Sequence, residues 1–344
     1  MTIALDIGAH SVRSLRRQGS RLAGRTTRLA YAVLPDSPRH RRLLEGGGIA
    51  FAVCGGRLVL VGQQAVDYAR PFREPVRSAL SDGLLPRDNP LARQVVAATV
   101  EAVLPRALTR DEICCLTVPG GAGSQSREAE FLTRLVRLAG YVPVVVRAGM
   151  ALVLAELSRT GFTGAGISFG AATCELSIAH RGREIASVAV RRGGDWIDAE
   201  FAAQEGCCLW DAAGGRHPDL ESIARLKSEH TEPLATASSP RGRLFAALYR
   251  SLITELVGHA ARALGPVPLL GTLPRPLELV VGGGTAQIPG FAELLDEQLR
   301  SAALPVALAR ARVAAAADYT VARGGLIHAE LEAGGAQQAA RSAA

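Results

Sequence analysis

The residues best suited to chemistry lie beside short glycine turns. Asp6 stands near the end of an apolar segment that runs into Gly8, and Ser11 and Arg13 follow on the next segment. A glycine turn lets backbone N–H groups approach phosphate oxygens without a side chain in the way. A nearby carboxylate suits Mg²⁺, which keeps several waters and takes few protein ligands, and an arginine suits a phosphate. The pattern predicts a nucleotide site in which Asp6 holds Mg²⁺ through water and Arg13 contacts phosphate.

The same arrangement recurs in the second half of the chain. Residues 165–174 repeat the order seen in residues 3–12, an apolar strand, a turn of small residues and a second strand, with Gly170 and Thr173 in the repeated turn. A single turn of this kind is also typical of a capped β-turn without a ligand, but its repetition favours one nucleotide held between two homologous halves. A late glycine turn supplies three further candidate contacts, Gly282, Gly283 and Gly284.

The second copy differs from the first at the acidic position. Where the first copy has Asp6, the second has Ser168. Hydrolysis of a phosphate anhydride needs a positioned water and a clamp on the developing charge. The chain is therefore predicted to hold a nucleotide and to be poorly equipped to hydrolyse it.

Composition and charge narrow the class of protein. The 344 residues are 48% apolar and 21% charged, which is ordinary for a globular chain long enough for two domains. The net charge of +7 comes mainly from arginine, so an anionic membrane surface is an expected partner. Nucleic acid is not expected, because no basic run is interleaved with aromatic residues.

Metal and redox chemistry outside the nucleotide site is not expected. The six cysteines form no C-x-x-C pattern and the seven histidines show no ligand spacing, so no metal other than Mg²⁺ is predicted. Reduced thiols are typical of a cytosolic protein. Because no apolar run approaches the ~20 residues needed to span a bilayer, we expect a cytoplasmic location, with attachment to a membrane surface as an option.

Strands alternating with helices position these residues and predict an α/β protein with mixed sheets. Apolar residues at helical spacing predict a helix over 91–104, and buried-type strands are expected over 113–118 and 142–146. Residues 35–48 are predicted to form a loop, because proline, arginine and three successive glycines occur there. The tail 332–344, rich in Ala, Gly, Gln and Ser, is predicted to be disordered.

Helix starts account for several polar residues. Ser124 or Ser126 is expected to cap the helix that ends near Ala139. Asp195 and Asp198 lie three apart at another predicted helix start and are interpreted as cap residues. No catalytic role is therefore assigned to either aspartate.

Short motifs occur along the chain in a characteristic order. They are Asp6-Ile7-Gly8, Leu60-Val61-Gly62 with Ala65, Ser81-Asp82-Gly83 after Pro71 and Pro75, Val118-Pro119-Gly120-Gly121, Arg192-Gly193-Gly194-Asp195 with Asp198, Ala224 to Lys227, and Val281 to Pro289-Gly290-Phe291. In this order and spacing the chain resembles the actin-like ATPase superfamily, and most of all the bacterial MreB-type filament proteins, over nearly its whole length.

The resemblance implies an α/β, actin-like (ribonuclease H-like) duplicated fold with two lobes around a nucleotide cleft. It implies ATP and Mg²⁺ as ligands, and it adds Gly194 and Lys227 to the nucleotide contacts. The implied subdomains are residues 1–33 with 90–148 and about 315–331 (first large), 34–89 (first small), 149–190 with 265–314 (second large) and 191–264 (second small).

The departures from the family pattern fall on the catalytic side. Ser168 replaces the family's acidic residue, and Arg147 and Ala148 replace two glutamates at a helix entry. Ala224 replaces a further, adenosine-side glutamate. Loss of one polarising group costs ~10²–10³ in rate, so ATP hydrolysis is expected to be weak. Thr173 remains as a candidate to orient a water, and Arg147 either stabilises phosphate charge or is simply an exposed arginine.

The leading hypothesis is a filament-forming or scaffold protein that self-associates and acts in cell shape or intracellular organisation. Residues 104–108 stand where some relatives carry a membrane-inserting loop, so membrane docking is a further expectation. One alternative is a degenerate pseudo-ATPase that acts as an adaptor or regulator, and another is a DnaK-type chaperone ATPase domain. A sugar or acetate kinase of the same fold would need a carboxylate in the second half of the cleft, and the sequence motifs reveal none.

Overall fold

Two five-stranded sheets of the same topology form the centre of the molecule. In the computed structural model the described residues are 2–119, 126–211, 213–315 and 318–343. With strands numbered along the chain, the first sheet contains β1 (Thr2–Ile7), β2 (Ser11–Gln18), β3 (Arg21–Arg28), β8 (Ile113–Thr117) and β9 (Val142–Val146), in the order β3-β2-β1-β8-β9. The second sheet contains β10 (Gly164–Phe169), β11 (Cys174–His180), β12 (Arg183–Val190), β15 (Leu277–Gly282) and β16 (Leu308–Val313), in the order β12-β11-β10-β15-β16.

Each sheet is a three-stranded antiparallel meander extended by two parallel strands. Asp6 faces Arg13 in the hairpin of the first sheet, and Ser168 faces Glu175 at the same place in the second. The two homologous halves predicted from the repeat are thus confirmed as two equivalent lobes. Apolar runs explain the central strands: β8 is buried at all of its residues, as expected of a parallel strand covered on both faces.

Smaller sheets and helices complete the lobes. A four-stranded sheet has the order β5-β6-β4-β7, from β4 (Ala30–Pro35), β5 (Ala52–Cys54), β6 (Arg57–Val61) and β7 (Arg77–Ser78), and a two-stranded sheet pairs β13 (Cys208–Trp210) with β14 (Arg216–Pro218). The helices are α1 (Pro38–Gly46), α2 (Gln63–Ala69), α3 (Pro90–Val103), α4 (Arg127–Leu138), α5 (Ala148–Glu156), α6 (Gly194–Glu205), α7 (Leu220–Ser228), α8 (Pro240–Leu264), α9 (Phe291–Ser301) and α10 (Thr320–Ala343). In the part of the chain that the structure describes, none of these helices has both the length and the apolar character needed to cross a bilayer.

Helices α5 and α10 join the two lobes. The first turns of α10 pack on the first sheet, where Ala322 and Leu326 contact Ala4 and Leu15. The same helix crosses α5 so closely that a Cβ on Gly324 would overlap the Ala151 carbonyl. The two lobes are therefore joined where these helices cross in close backbone contact.

The predicted loop at 35–48 is wrong, because most of it forms helix α1. The side chain of Ser37 accepts a hydrogen bond of 3.1 Å from the His40 N–H, and Pro38 occupies the first turn. Both are helix-start signals. The glycines end this helix at Gly46 and do not mark an open loop.

The predicted disordered tail at 332–344 is also wrong, because α10 continues to Ala343. Alanine, glutamate and glutamine are good helix formers, and the segment extends a helix already anchored in the core. Ser126 is the observed cap of α4, accepting from the Ala129 N–H at 3.1 Å, whereas Ser124 and the Gly120-Gly121 motif lie outside the described residues. The subdomain bounds stay a prediction.

Candidate nucleotide-binding site

A cavity of about 570 Å³ lies between the two lobes. Its size falls within the range of small-ligand sites, and its walls come from both halves of the chain. It brings together nearly all the predicted contacts: Asp6, Gly8, Ser11, Arg13, Gly170, Thr173, Gly194, Lys227, Gly283 and Gly284.

The tips of the two hairpins are built alike. The Gly8 N–H donates to the Ser11 carbonyl at 3.0 Å, and the Gly170 N–H donates to the Thr173 carbonyl at 2.9 Å. A Cβ would lie 3.2 Å from the Ser11 oxygen at Gly8 and 3.0 Å from the Thr173 oxygen at Gly170, so both tight turns favour glycine. Two equivalent turns facing one cavity are suited to hold phosphate groups.

Asp6 is held in place at the end of β1. The Thr117 hydroxyl donates to Asp6 Oδ1 at 2.8 Å and accepts from the Ile7 N–H at 3.1 Å, while Arg13 Nη1 lies 3.8 Å from Asp6 Oδ2. Burial raises the pKa of Asp6, and Arg13 and Thr117 oppose that shift. A fixed carboxylate that still lines the cavity fits a Mg²⁺ bound through water. Thr117 belongs to none of the sequence motifs. Its position at the end of a strand could have indicated a site residue, because ligands bind at the carboxyl ends of parallel strands.

The second hairpin places a carboxylate in the cleft that sequence reasoning did not find. Glu175 lines the cavity, is only 5% exposed, and accepts a 3.1 Å hydrogen bond from the Gly149 N–H. Burial raises the pKa of Glu175 to about 7, although the Gly149 N–H and Arg147 favour the ionised form. The sequence motifs reveal no carboxylate with this role in the second half of the cleft, and the structure places Glu175 there.

Arg147 and Ala148 stand at the start of α5, next to Glu175. Ala148 lines the cavity, whereas Arg147 is not among the residues that do so in the described part of the chain. The Arg147 Nε atom lies 3.3 Å from Glu184 Oε2. The structure thus pairs this arginine with a carboxylate outside the cavity.

Lys227 connects helix α7 to the start of α6. Its Nζ atom lies 2.6 Å from Asp198 Oδ1 and donates to the Gly194 carbonyl at 3.1 Å. Burial raises the pKa of Asp198 to about 6, and Lys227 opposes the shift. The interpretation of Asp198 as a cap is wrong, because Gly193 is the N-cap residue of α6 and no side chain caps this helix start. Asp195 lies in the first turn of α6 and lines the cavity.

The three glycines of the late turn have two different roles, lining the cavity and packing. Gly283 and Gly284 line the cavity, and Gly283 has a φ of 94° that favours glycine. Gly282 does not line it: a Cβ there would lie 2.6 Å from Leu152 Cδ2, so this glycine allows β15 to pack on α5. Thr285, which sequence reasoning missed, donates to the Gly170 carbonyl at 2.9 Å and ties this turn to the second hairpin.

Positive charge converges on the first hairpin. Partial burial, followed by the charges of Arg28, Arg13 and Lys227, lowers the pKa of His10 to about 4. The Arg28 Nε atom is buried and has no acceptor among the described residues. His10 and the three cationic side chains line the cavity, so the part of its wall at the first hairpin fits an anionic ligand.

Comparison with known proteins identifies both family and fold. A protein-family model described as Volactin matches residues 1–329. A comparison with curated protein sequences finds no match. Among solved structures the chain is similar to MreB5 of Spiroplasma citri bound to AMPPNP, with a TM-score of 0.69, 14% identity and 98% of each chain covered.

Two further solved structures have the same architecture. The MamK double helical filament matches with a TM-score of 0.67 and 15% identity, over 96% of this chain and 99% of that chain. The ethanolamine utilization protein EutJ from Carboxydothermus hydrogenoformans matches with a TM-score of 0.51 and 17% identity, over 94% of this chain and 88% of that chain. At such identities the likeness shows the fold alone, which is the predicted two-lobed actin-like fold.

Proposed function

The chain belongs to the Volactin family, and from this premise we propose that it is an actin-like protein that binds ATP with Mg²⁺ and assembles into filaments. The observation that carries the proposal is the cavity between the lobes, in which two equivalent hairpins, a glycine turn and several cations meet. The hairpins and the cations suit the phosphates of a nucleotide, and the glycine turn suits its nucleoside part.

The residues divide into groups by chemistry. The N–H groups around Gly8 and Gly170, with Arg13 and Lys227, would hold the phosphates. Asp6 would hold Mg²⁺ through water, and the metal would supply neutralising charge beside the phosphates. The turn at residues 283–285 would face the adenosine. The nucleotide analogue bound to MreB5 of Spiroplasma citri supports the same use of this fold here.

Assembly into filaments is the function that the relatives favour. The solved MamK structure is a double helical filament, and its fold matches nearly the whole chain. We propose that closure of the two lobes around ATP favours assembly, in a filament or scaffold that serves cell shape or intracellular organisation, in the manner of MreB-type proteins. Weak hydrolysis would follow from Ser168 and from the loss of glutamates at Arg147 and Ala148, with Thr173 helping to orient a water.

A membrane surface is proposed as a secondary partner. Leu108 and Leu138 are 79% and 70% exposed, and Arg106 lies in the same short loop as Leu108. Exposed leucines beside arginine suit an anionic bilayer surface. This placement stays a prediction, as does a cytoplasmic location.

Calorimetric titration with ATP and Mg²⁺ tests the central proposal. We expect micromolar binding by the wild-type protein and at least a tenfold loss in Asp6→Ala, because the metal loses its carboxylate and Arg13 loses one of its two acidic neighbours. Asp67→Ala is the matched control, since Asp67 is exposed on α2 and does not line the cavity. Absence of binding by the wild-type protein would contradict the proposal and favour a pseudo-ATPase retained as an adaptor or regulator.

A second measurement separates filament formation from nucleotide binding. Sedimentation and electron microscopy with AMPPNP are expected to show polymers of the wild-type protein and far fewer of Asp6→Ala. Binding without any polymer would favour the adaptor or regulator alternative.

A further inference from the structure

A buried carboxylate in the cleft wall is not among the residues proposed to hold the phosphates. Glu175 on β11 is the cross-strand partner of Ser168, and both residues line the cavity. Cross-strand partners project from the same face of a sheet. The Glu175 carboxylate therefore lies next to Ser168 on the face of the sheet that lines the cleft. Ser168 is the second-lobe equivalent of Asp6.

The same carboxylate meets the beginning of α5. Its Oε1 atom accepts from the Gly149 N–H at 3.1 Å, and the helix has no side-chain cap from Arg147. The unpaired N–H groups of a helix start need an acceptor, which fixes the orientation of Glu175. In the actin-like pattern this helix entry carries glutamates, and here its residues are Arg147 and Ala148. A carboxylate from the neighbouring strand thus stands where the helix itself no longer supplies one.

We propose that Glu175 is the general base of ATP hydrolysis in this chain. The inference rests on the proposed nucleotide function and names the residue that sustains turnover. As the oxygen of a water forms a bond to the γ-phosphorus, Glu175 accepts a proton from that water. The bond between the γ-phosphorus and the bridging oxygen breaks, and its electron pair leaves on the oxygen of ADP. Inorganic phosphate and ADP are released, and Glu175 returns its proton to solvent.

The surroundings of Glu175 suit this task. Burial raises its pKa to about 7, whereas the Gly149 N–H and Arg147 oppose the shift and Glu184 adds to it. Arg147 precedes α5 and Glu184 lies on β12, and the two are themselves 3.3 Å apart. A base is most effective when its pKa is near the working pH. Because only the ionised form accepts a proton, turnover is expected to increase as the pH rises through about 7.

The test compares Glu175→Gln with the wild-type protein in ATP turnover and ATP affinity from pH 5.5 to 9. We expect turnover to fall about 10²–10⁴-fold in Glu175→Gln, with the rise around neutral pH abolished. The ATP dissociation constant is expected to change less than about threefold, because the amide keeps the hydrogen bond at the start of α5.

Glu184→Gln is the matched variant for the pH profile. Glu184 lies outside the cavity lining and raises the pKa of Glu175 through its charge. Its removal is expected to move the rise in turnover to lower pH and to leave the plateau at high pH intact. A profile that does not move contradicts the assignment of the titrating group to Glu175.

Stability against urea supplies a readout apart from turnover. The folded pKa of Glu175 lies above its unfolded value, so between those two values the folded state binds more protons. Ionisation in the buried site therefore costs stability as the pH rises to about 7. We expect Glu175→Gln to unfold at higher urea than the wild-type protein at pH 8, with the difference absent below pH ~4.5.

The outcomes separate this inference from the proposed function. A wild-type protein that binds no ATP overturns both. Equal turnover and equal pH profiles in the wild-type protein and Glu175→Gln overturn only the role of Glu175. A wild-type protein that binds ATP without turnover at any pH also overturns the catalytic role and leaves the binding function in place.

Discussion

At the scale of single residues, the pKa of His10 depends on the charges that surround it in the cavity. It lies at the tip of the first hairpin, near the guanidinium groups of Arg13 and Arg28 and the ammonium group of Lys227. These cations come from both lobes, and each has an acidic partner that lines the same cleft: Asp6 for Arg13, Glu221 for Arg28 and Asp198 for Lys227. A phosphate chain entering this space would add negative charge beside the imidazole.

We therefore expect ligand binding to raise the pKa of His10. Without ligand its pKa is about 4, because partial burial and the neighbouring cations disfavour the imidazolium. Bound phosphates favour the charged form, so NMR titration of the ring with saturating ATP and Mg²⁺ should show a pKa shifted upward by at least one unit, roughly the effect of one close opposite charge. The ring signals of His259, exposed on α8, should not respond to the nucleotide. An unchanged His10 pKa at saturation would contradict phosphate binding at the first hairpin.

Residues beside a turn motif were predictable, and residues inside buried strands were not. Asp6, Gly8 and Gly170 stand in local patterns that can be read directly from the chain. Thr117 and Glu175 reach the same cavity from strand positions whose neighbours are apolar. Their role depends on the order of the strands in each sheet, and the pattern of a single sequence does not specify that order.

At the scale of elements, the crossing of α5 and α10 determines how the lobes are joined. Gly324 in α10 meets the Ala151 backbone of α5, and Gly149 at the start of α5 lies against Gly166 of β10. Missing side chains at these points allow backbones to approach closely. The relative position of the two lobes depends on these close backbone contacts.

Gly324→Ala is expected to destabilise the protein by about 1–3 kcal/mol, because the new Cβ would force the two helices apart. Urea unfolding measures the change. Gly334→Ala in the same helix is the control: no atom lies within 4 Å of its Cβ position, so it should stabilise by about 0.5–1 kcal/mol through helix propensity. Equal effects of the two substitutions would show that α10 does not cross α5 at Gly324.

At the scale of the whole molecule, ion pairs across the mouth of the cleft hold the lobes together. Arg28 Nη2 of β3 lies 2.7 Å from Glu221 Oε1 of α7. Arg70, which follows α2, lies 3.8 Å from Asp219 and 3.4 Å from the Ser222 hydroxyl. These partly exposed pairs are weak individually, so they suit a contact that opens and closes.

Weakening this contact should speed nucleotide release. For Glu221→Gln we expect ADP to dissociate about two- to fivefold faster, the range that corresponds to an exposed ion pair, and added salt should act on the wild-type protein in the same direction. Stopped-flow fluorescence with a labelled nucleotide measures the rate. Glu330→Gln is the control, because Glu330 pairs with Arg17 at 2.8 Å within one lobe. Equal release rates for Glu221→Gln and the wild-type protein would contradict a gating role.

The sequence by itself determined the duplicated halves, the two phosphate-type hairpins and the loss of the acid at Ser168. These features depend on turn residues and on apolar periodicity, and both can be recognised from a few neighbouring residues of the sequence. Only the tertiary structure decided that Glu175 meets the start of α5, that Lys227 pairs with Asp198, and that Arg28 reaches Glu221 across the cleft. Each of those contacts joins residues far apart in the chain, and their proximity follows from how whole sheets and helices pack.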